Sequence, residues 1–215
     1  TVWDLAHRVT PFFPEVSSNG MWIEREELFS EGIRRAFCIV VGTESGKNQI
    51  SDFYNVPLNR IILNKLPTPI LNNNNGTKDQ LLEIESLKPY VFYPSSLHPH
   101  KNHIVIILAL SVLKKKYGIE INVVFTGLKN IPQNHHLLNK ARELSIENQV
   151  KFLGFVSNNY LKLLYKNAAA LSFPSFSGPD NIPPLEAMSL GCPVITADIE
   201  GAREYYEDCV LYFEP

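Results

Sequence analysis

The sequence predicts an α/β fold built on a doubly wound parallel sheet. Three observations carry that expectation. From about Phe37 onward, short β-rich runs alternate with longer segments of helical period, the pattern of a parallel sheet wrapped by helices. Most of the β-rich runs are apolar on successive residues instead of alternating, so both sheet faces should be covered. One break divides the chain: residues 66–77 hold Pro67, Pro69, asparagines at 72–75 and Gly76, a composition that disfavours both helix and strand.

Taken in order, residues 1–5 read as the end of a buried strand, and the strand candidates after them are 37–41, 60–63, 90–93, 121–126, 149–153, 169–173, 193–197 and 210–213. Thr43 or Ser45 caps a helix that begins near Gly46-Lys47. Residues 102–117, rich in Ile, Leu and Val, form a helix whose closing Lys114-Lys115-Lys116 suits the negative end of the helix dipole. Leu137, Ala141 and Leu144 recur at helical spacing, as do Leu161, Leu164 and Tyr165, and both stripes are core faces. Pro183 and Pro184 are tolerated in a first helical turn, which places Glu186 within that turn. The expected organisation is a first domain over residues 1–71, a linker over 72–87 and a second domain over 88–215. Six strands follow the break, enough for a complete unit. The two or three before it make half a sheet, and the chain reads as a fragment of a longer polypeptide.

Composition excludes several classes. With 45% hydrophobic and 20% charged residues the chain is globular and long enough to form a core without staples. Twenty Lys+Arg against twenty-two Asp+Glu give a net charge of -2, which argues against an electrostatic nucleic-acid binder. Cys38, Cys192 and Cys209 are odd in number and unclustered, as in a reduced cytoplasmic protein. No apolar run approaches the ~20 residues of a membrane span.

In open parallel sheets, ligands bind at the carboxyl ends of strands, where helix N-termini offer free N–H groups to anions. Two strand-to-helix loops therefore matter. The first runs from Tyr93 to His103 and carries Lys101 at the entrance of the long helix, as a phosphate site requires. Its His98, His100 and His103 have metal-like spacing but no accompanying carboxylates, so the loop reads as lining an anion site. The second runs from Ser175 to Met188. On spacing alone, Glu186 there either complements its helix dipole or contacts a ligand. No dinucleotide fingerprint, Walker loop or Ser/His/Asp arrangement appears, and Asp198-Ile199-Glu200 reads as a solvated loop.

These stretches carry a family resemblance. His100-Lys101-Asn102-His103, 150–156 (Val-Lys-Phe-Leu-Gly-Phe-Val), Phe173-Pro174-Ser175, Ile182-Pro183-Pro184-Leu185-Glu186-Ala187-Met188, Leu190-Gly191-Cys192-Pro193-Val194-Ile195 and a terminal Leu211-Tyr212-Phe213-Glu214-Pro215 together resemble the retaining nucleotide-sugar glycosyltransferases of family 4, the glycosyl transferases group 1. Upstream, Asp4-Leu5-Ala6-His7-Arg8 with Pro14-Glu15 is similar to the closing part of the acceptor domain in bacterial polysaccharide-assembly members, which implies that roughly the first hundred residues of a full enzyme lie outside this chain.

The resemblance implies the two-domain GT-B fold and assigns roles. Lys101, beside His100, would hold the donor diphosphate with the helix N-terminus at Ile182, Pro184 and Leu185. Glu186 would take the ribose hydroxyls, and Gly154, Phe155 and Val156 would flank the base. Asp4 and His7 would face the cleft as catalytic candidates with Lys101. Two departures stand out. Gly178 occupies the position of the family's usual first glutamate, leaving Asp180 and Asn181 as replacements, and the arginine that commonly precedes the lysine is absent. The implied activity is metal-independent, cofactor-free transfer of a sugar with retention to a glycan or polyprenyl-linked acceptor, in O-antigen, capsule or exopolysaccharide synthesis. It would take place at the inner face of the membrane, with peripheral association through the N-terminal region, and the fragment alone would be inactive. The alternatives are a nucleotide-sugar epimerase and a catalytically silent nucleotide-sugar-binding module.

Overall fold

A computed structural model describes every residue of the chain except 69–76, 129–130 and 179–180. The first part holds two short helices, α1 (Ala6–Val9) and α2 (Pro14–Ser17), and the long α3 (Met21–Arg35). They are followed by β1 (Ile39–Val41), α4 (Glu44–Tyr54) and β2 (Ile61–Leu63). The two strands pair in parallel, Ile39 opposite Ile61. Val2, Leu5, Ile33, Ile39, Val41, Ile50, Val56 and Ile61 close a small core around them. The Thr43 hydroxyl accepts the Gly46 N–H at 2.9 Å and caps α4, as its sequence position implies. Residues 1–5 are not a strand. Val2 lies beside β1 through one bond from its N–H to the Val40 carbonyl (2.9 Å), and the chain turns into α1 before a ladder can form.

The second part begins with α5 (Lys78–Leu87) and continues β3 (Tyr90–Pro94), α6 (His103–Tyr117), β4 (Asn122–Thr126), α7 (Ile131–Glu143), β5 (Val150–Gly154), α8 (Asn158–Asn167), β6 (Ala170–Phe173), α9 (Ile182–Ser189), β7 (Val194–Ala197), α10 (Ala202–Tyr206) and β8 (Leu211–Phe213). Thr77 and Gln80 form a capping box that starts α5. Ile84 and Leu87 of that helix enter the second core, so a helix stands where the sequence reading places the end of a linker.

All six strands of the second sheet are parallel, in the order β5-β4-β3-β6-β7-β8. The continuous apolar runs have the expected cause: Val123, Val124 and Phe125 are all buried, one face after the other. Helix α6 ends in Gly118 at φ +67, where the Gly118 N–H reaches the Lys114 carbonyl and the Ile119 N–H reaches Leu113, both at 3.1 Å. The order matters for function. Winding reverses between the neighbours β3 and β6, so the loops leaving them diverge and open a crevice at their carboxyl ends.

Candidate functional site

The crevice is built from the two loops singled out in the sequence. Beyond β3, the Ser95 N–H donates to the Thr126 carbonyl at 2.8 Å and draws the loop against the end of β4. Gly127 permits this approach. Its φ is +131, and a Cβ there would stand 2.5 Å from the Ser95 carbonyl oxygen. A 3-10 turn over Pro99–Lys101 follows, with the Lys101 N–H on the His98 carbonyl at 3.0 Å. From below, the hydroxyl of buried Tyr93 donates to the Lys101 carbonyl at 2.8 Å. The backbone of Lys101 is thus fixed by the sheet itself.

Its ammonium lies 3.4 Å from Asn181 Oδ1 and 5.7 Å from the centre of the Phe173 ring. Burial pushes the Lys101 ammonium down to about 8, against the opposing pull of the Asp4 and Glu15 carboxylates.

The loop after β6 is joined to the first by the Phe176 N–H, which donates to the His100 carbonyl at 2.8 Å. Asn181 is the hub. Its Nδ2 donates to the Gly178 carbonyl, and its own carbonyl accepts the Tyr206 hydroxyl at 2.7 Å. Gly178 has φ +101, and a Cβ on it would meet Asn181 Oδ1 at 2.8 Å. Asn181 also occupies the N-cap position of α9, which begins at Ile182, without a capping bond from its side chain. Pro183 and Pro184 bring no N–H, so of the first three helical residues, whose N–H groups the helix leaves unpaired, only Ile182 presents a donor. Glu186 is the fifth residue of α9 and lies one turn in, not in the first turn as the proline positions suggest.

The crevice opens into a cavity of about 380 Å³ between the two parts of the chain. His98, His100, Lys101, Gly178, Asn181 and Ile182 line one side, and Trp3, Asp4, Glu15 and Arg25 the other. Across it the Lys101 ammonium faces the Asp4 and Glu15 carboxylates. The Glu15 carboxylate accepts the His100 backbone N–H at 2.8 Å and faces the His100 ring nitrogen Nδ1. Burial works to raise the Glu15 carboxyl, but hydrogen bonds from His100 and from its own backbone hold it below the usual range. Asp4 accepts the Ala6 N–H at 2.9 Å and an Arg25 N–H at 2.6 Å.

The loop histidines separate. His98 and His100 stack at 5.8 Å, whereas His103 is buried between Tyr93 and Phe125. Burial, then the charge of Lys101, push the His103 imidazole down to about 3, so it stays neutral. Among the described residues no group of three or more His, Cys, Asp or Glu side chains could hold a metal ion.

His7 does not face the cleft. It is completely buried, its Nε2 is 3.1 Å from Glu26 Oε2, and its ring stacks on Phe29. Helix α1 packs on α3 with His7 in that contact, whereas Asp4 precedes α1 and reaches the cavity wall. At the far end of the site, Gly154 has φ +71 and accepts the Gly127 N–H at 2.9 Å. Phe155 beside it is 82% exposed, and Val156 packs on the core. Pro184 is buried and Leu185 half-buried, and Asp180 lies outside the described residues.

Three contributors are not singled out by the motifs. Gly127 has a signal, a glycine directly after a buried strand, which marks close backbone approach. Tyr165 has a fainter one, a phenol at the base of an apolar stripe whose hydroxyl needs a buried partner. That partner is Glu186, whose Oε2 accepts the hydroxyl at 2.7 Å. Arg25 has none, because its place depends on how α3 crosses α1.

Residues 75–213 match the family model of the glycosyl transferases group 1. The O-antigen chain mannosyltransferase RfbU of Salmonella typhimurium is 28% identical over 188 residues, 87% of this chain and 50% of that protein. O-antigen chain mannosyltransferase B of Escherichia coli is 23% identical over 194 residues, 88% of this chain and 51% of that protein. The chain spans about half the length of the curated relatives it matches. Among solved structures, Anabaena Alr3699/HepE in complex with UDP-glucose aligns with a TM-score of 0.73 at 19% identity, covering 94% of this chain and 56% of that one. The family match takes in both crevice loops and more than half of the sequence, and it makes the chain a member of the glycosyl transferases group 1, with the GT-B fold.

Proposed function

We propose that this chain supplies the donor half and part of the acceptor half of a retaining glycosyltransferase. The enzyme would move a sugar from a nucleoside diphosphate to a glycan or polyprenyl-linked acceptor during O-antigen or related surface-polysaccharide assembly, at the inner face of the membrane. The observation that carries the reading is the position of Lys101, pinned at the reversal of strand order with its ammonium directed at Asn181, the residue from which α9 starts. A fixed cation and a helix N-terminus then converge on one anion, the diphosphate leaving group. Negative charge grows there as the glycosidic bond breaks, and preorganised positive charge stabilises it without a metal ion.

Glu186 takes the ribose hydroxyls, and Phe155 offers an exposed ring to the base. Asp4, held by Arg25 at the cavity wall, faces the acceptor side. The names of the relatives support the polysaccharide setting, and UDP-glucose in the Anabaena protein supports the donor class.

Calorimetry of the chain with UDP, GDP, ADP and dTDP tests the donor site. Micromolar to millimolar binding of at least one, worth ~4–8 kcal/mol, is expected. Silence from all four at millimolar concentration overturns the reading. Gly178 favours a second reading, a binding module without transfer, since the side chain normally at that position is absent. Acceptor-dependent consumption of a nucleotide sugar by the complete polypeptide excludes it, and turnover without an acceptor would identify an epimerase.

A further inference from the structure

We infer that Tyr165 is a positioning residue for donor recognition, holding the Glu186 carboxylate in the orientation that receives the ribose hydroxyls. The inference rests on the donor-site reading above and adds to it a residue on a different helix. Tyr165 has no accessible surface. Its ring meets Phe92 edge-on at 5.0 Å, and its hydroxyl donates to Glu186 Oε2 at 2.7 Å. Among the described residues the carboxylate of Glu186 accepts no other hydrogen bond and forms no ion pair. One donor from the core therefore sets the rotamer of a half-buried side chain that would otherwise sample several.

The chemistry of the pair favours this role over simple packing. Tyr165 sits in an apolar stripe with Leu161 and Leu164, where Phe would fill the same space without a buried hydroxyl to satisfy. An ionised carboxylate offers about four lone-pair sites. Tyr165 uses one, so the remaining sites stay open for a pair of adjacent hydroxyls. A carboxylate already oriented by a rigid neighbour loses less freedom on binding, which strengthens every ligand that uses it and no ligand that does not.

That last property gives the test. Binding of UDP, GDP and ADP, each against its 2′-deoxy form, is measured calorimetrically on the 215-residue chain, on Tyr165→Phe, on Glu186→Gln and on the double variant. The wild type should prefer the ribonucleotide about tenfold. Tyr165→Phe should weaken the ribonucleotide about five- to tenfold, leave the deoxynucleotide nearly unchanged, and have no effect in the Glu186→Gln background. The affinity ratio is read on folded protein, so any change in stability does not enter it. Equal losses for both nucleotides, or a preference that survives Tyr165→Phe intact, overturn the inference while leaving Glu186 on the ribose. A wild-type chain indifferent to the ribose hydroxyl overturns the assignment of Glu186 and this inference with it.

Discussion

Lys101 and Asn181 face each other across the mouth of the crevice, Nζ to Oδ1 at 3.4 Å, and so link the loop after β3 to the helix after β6. The pairing gives a physical account of Gly178. With φ +101 and the Asn181 amide 2.8 Å from where a Cβ would stand, position 178 admits no side chain unless Asn181 moves. The amide of Asn181 fills the space a side chain at 178 would enter, and it holds the lysine as well.

Gly178→Ala should therefore act twice. The left-handed backbone conformation costs on the order of 1–3 kcal/mol for a residue with a Cβ, which a melting curve reads. Displacement of Asn181 should also loosen Lys101 and weaken nucleoside diphosphate binding. A variant with reduced stability but unchanged nucleotide affinity would show that the Asn181 contact contributes nothing to the donor site.

Lys101 and Glu186 should separate kinetically, because the proposed function sets them on different parts of one donor. Lys101→Ala removes charge aimed at the diphosphate, where negative charge develops, so kcat should fall along with donor affinity. Glu186→Gln weakens bonds to hydroxyls that do not change during reaction, so KM should rise with kcat nearly constant. The expected binding loss is ~1–3 kcal/mol. Steady-state kinetics of the complete enzyme checks both, and a kcat defect in Glu186→Gln would move the carboxylate to the reacting centre.

The lowered Lys101 ammonium makes the donor site pH-sensitive. It is charged below about 8 and neutral above, so kcat/KM should fall as pH rises through about 8 in the free enzyme. A bound diphosphate stabilises the charged form, and the corresponding limb in kcat should lie at higher pH. For folding the sign follows from the same shift. The unfolded lysine binds its proton up to about 10.5, so between 8 and 10.5 the unfolded chain holds more protons and Lys101 makes stability rise with pH.

The fold of the second part was legible because its information is local: continuous apolar strands, helical stripes and the proline pair each name their own element. The positions of Lys101, at a helix entrance, and Gly154, at a strand end, were legible for the same reason, whereas Glu186 lies one turn deeper in α9 than the proline pair suggests. Residues whose role depends on a crossing were not. His7 and Asp4 lie three positions apart, and only the packing of α1 on α3 decides that Asp4 reaches the cavity while His7 meets Glu26 and Phe29. The same holds for Tyr165, whose hydroxyl finds Glu186 across two helices. The end of the expected linker misleads because its composition is polar, although Ile84 and Leu87 at helical spacing carry α5 into the core.

Transfer by the complete enzyme should survive excess EDTA, since the proposed diphosphate site consists of Lys101 and the N-terminus of α9 with the Ile182 N–H. Full loss of activity, restored by manganese or magnesium, would return His98 and His100, stacked at the cavity wall, to consideration as ligands.

Acid stability of the first part should depend on Glu26. Its carboxylate accepts Arg8 Nε at 2.7 Å, the Tyr54 hydroxyl at 3.0 Å and, on the same oxygen, approaches His7 Nε2 at 3.1 Å. Hydrogen bonding from Arg8, then from His7 and Tyr54, outweighs burial and pulls the Glu26 carboxyl down to about 2. A carboxyl depressed in the folded state contributes its stability above the unfolded value near 4.5 and loses it as pH falls toward 2. At neutral pH that contribution is about 3 kcal/mol, and Glu26→Gln should forfeit most of it. His7, kept neutral by burial, adds an acid-labile component of its own below pH 6.5 in both proteins. Trp3 and Trp22 are the two tryptophans of the chain and both lie in this part, so urea unfolding followed by tryptophan fluorescence reports on it selectively. The gap between wild type and Glu26→Gln should be widest near pH 7 and should narrow once pH drops below 4.5. A gap that stays constant from pH 7 to pH 4 and below would mean that the carboxylate acts through its shape and not its charge.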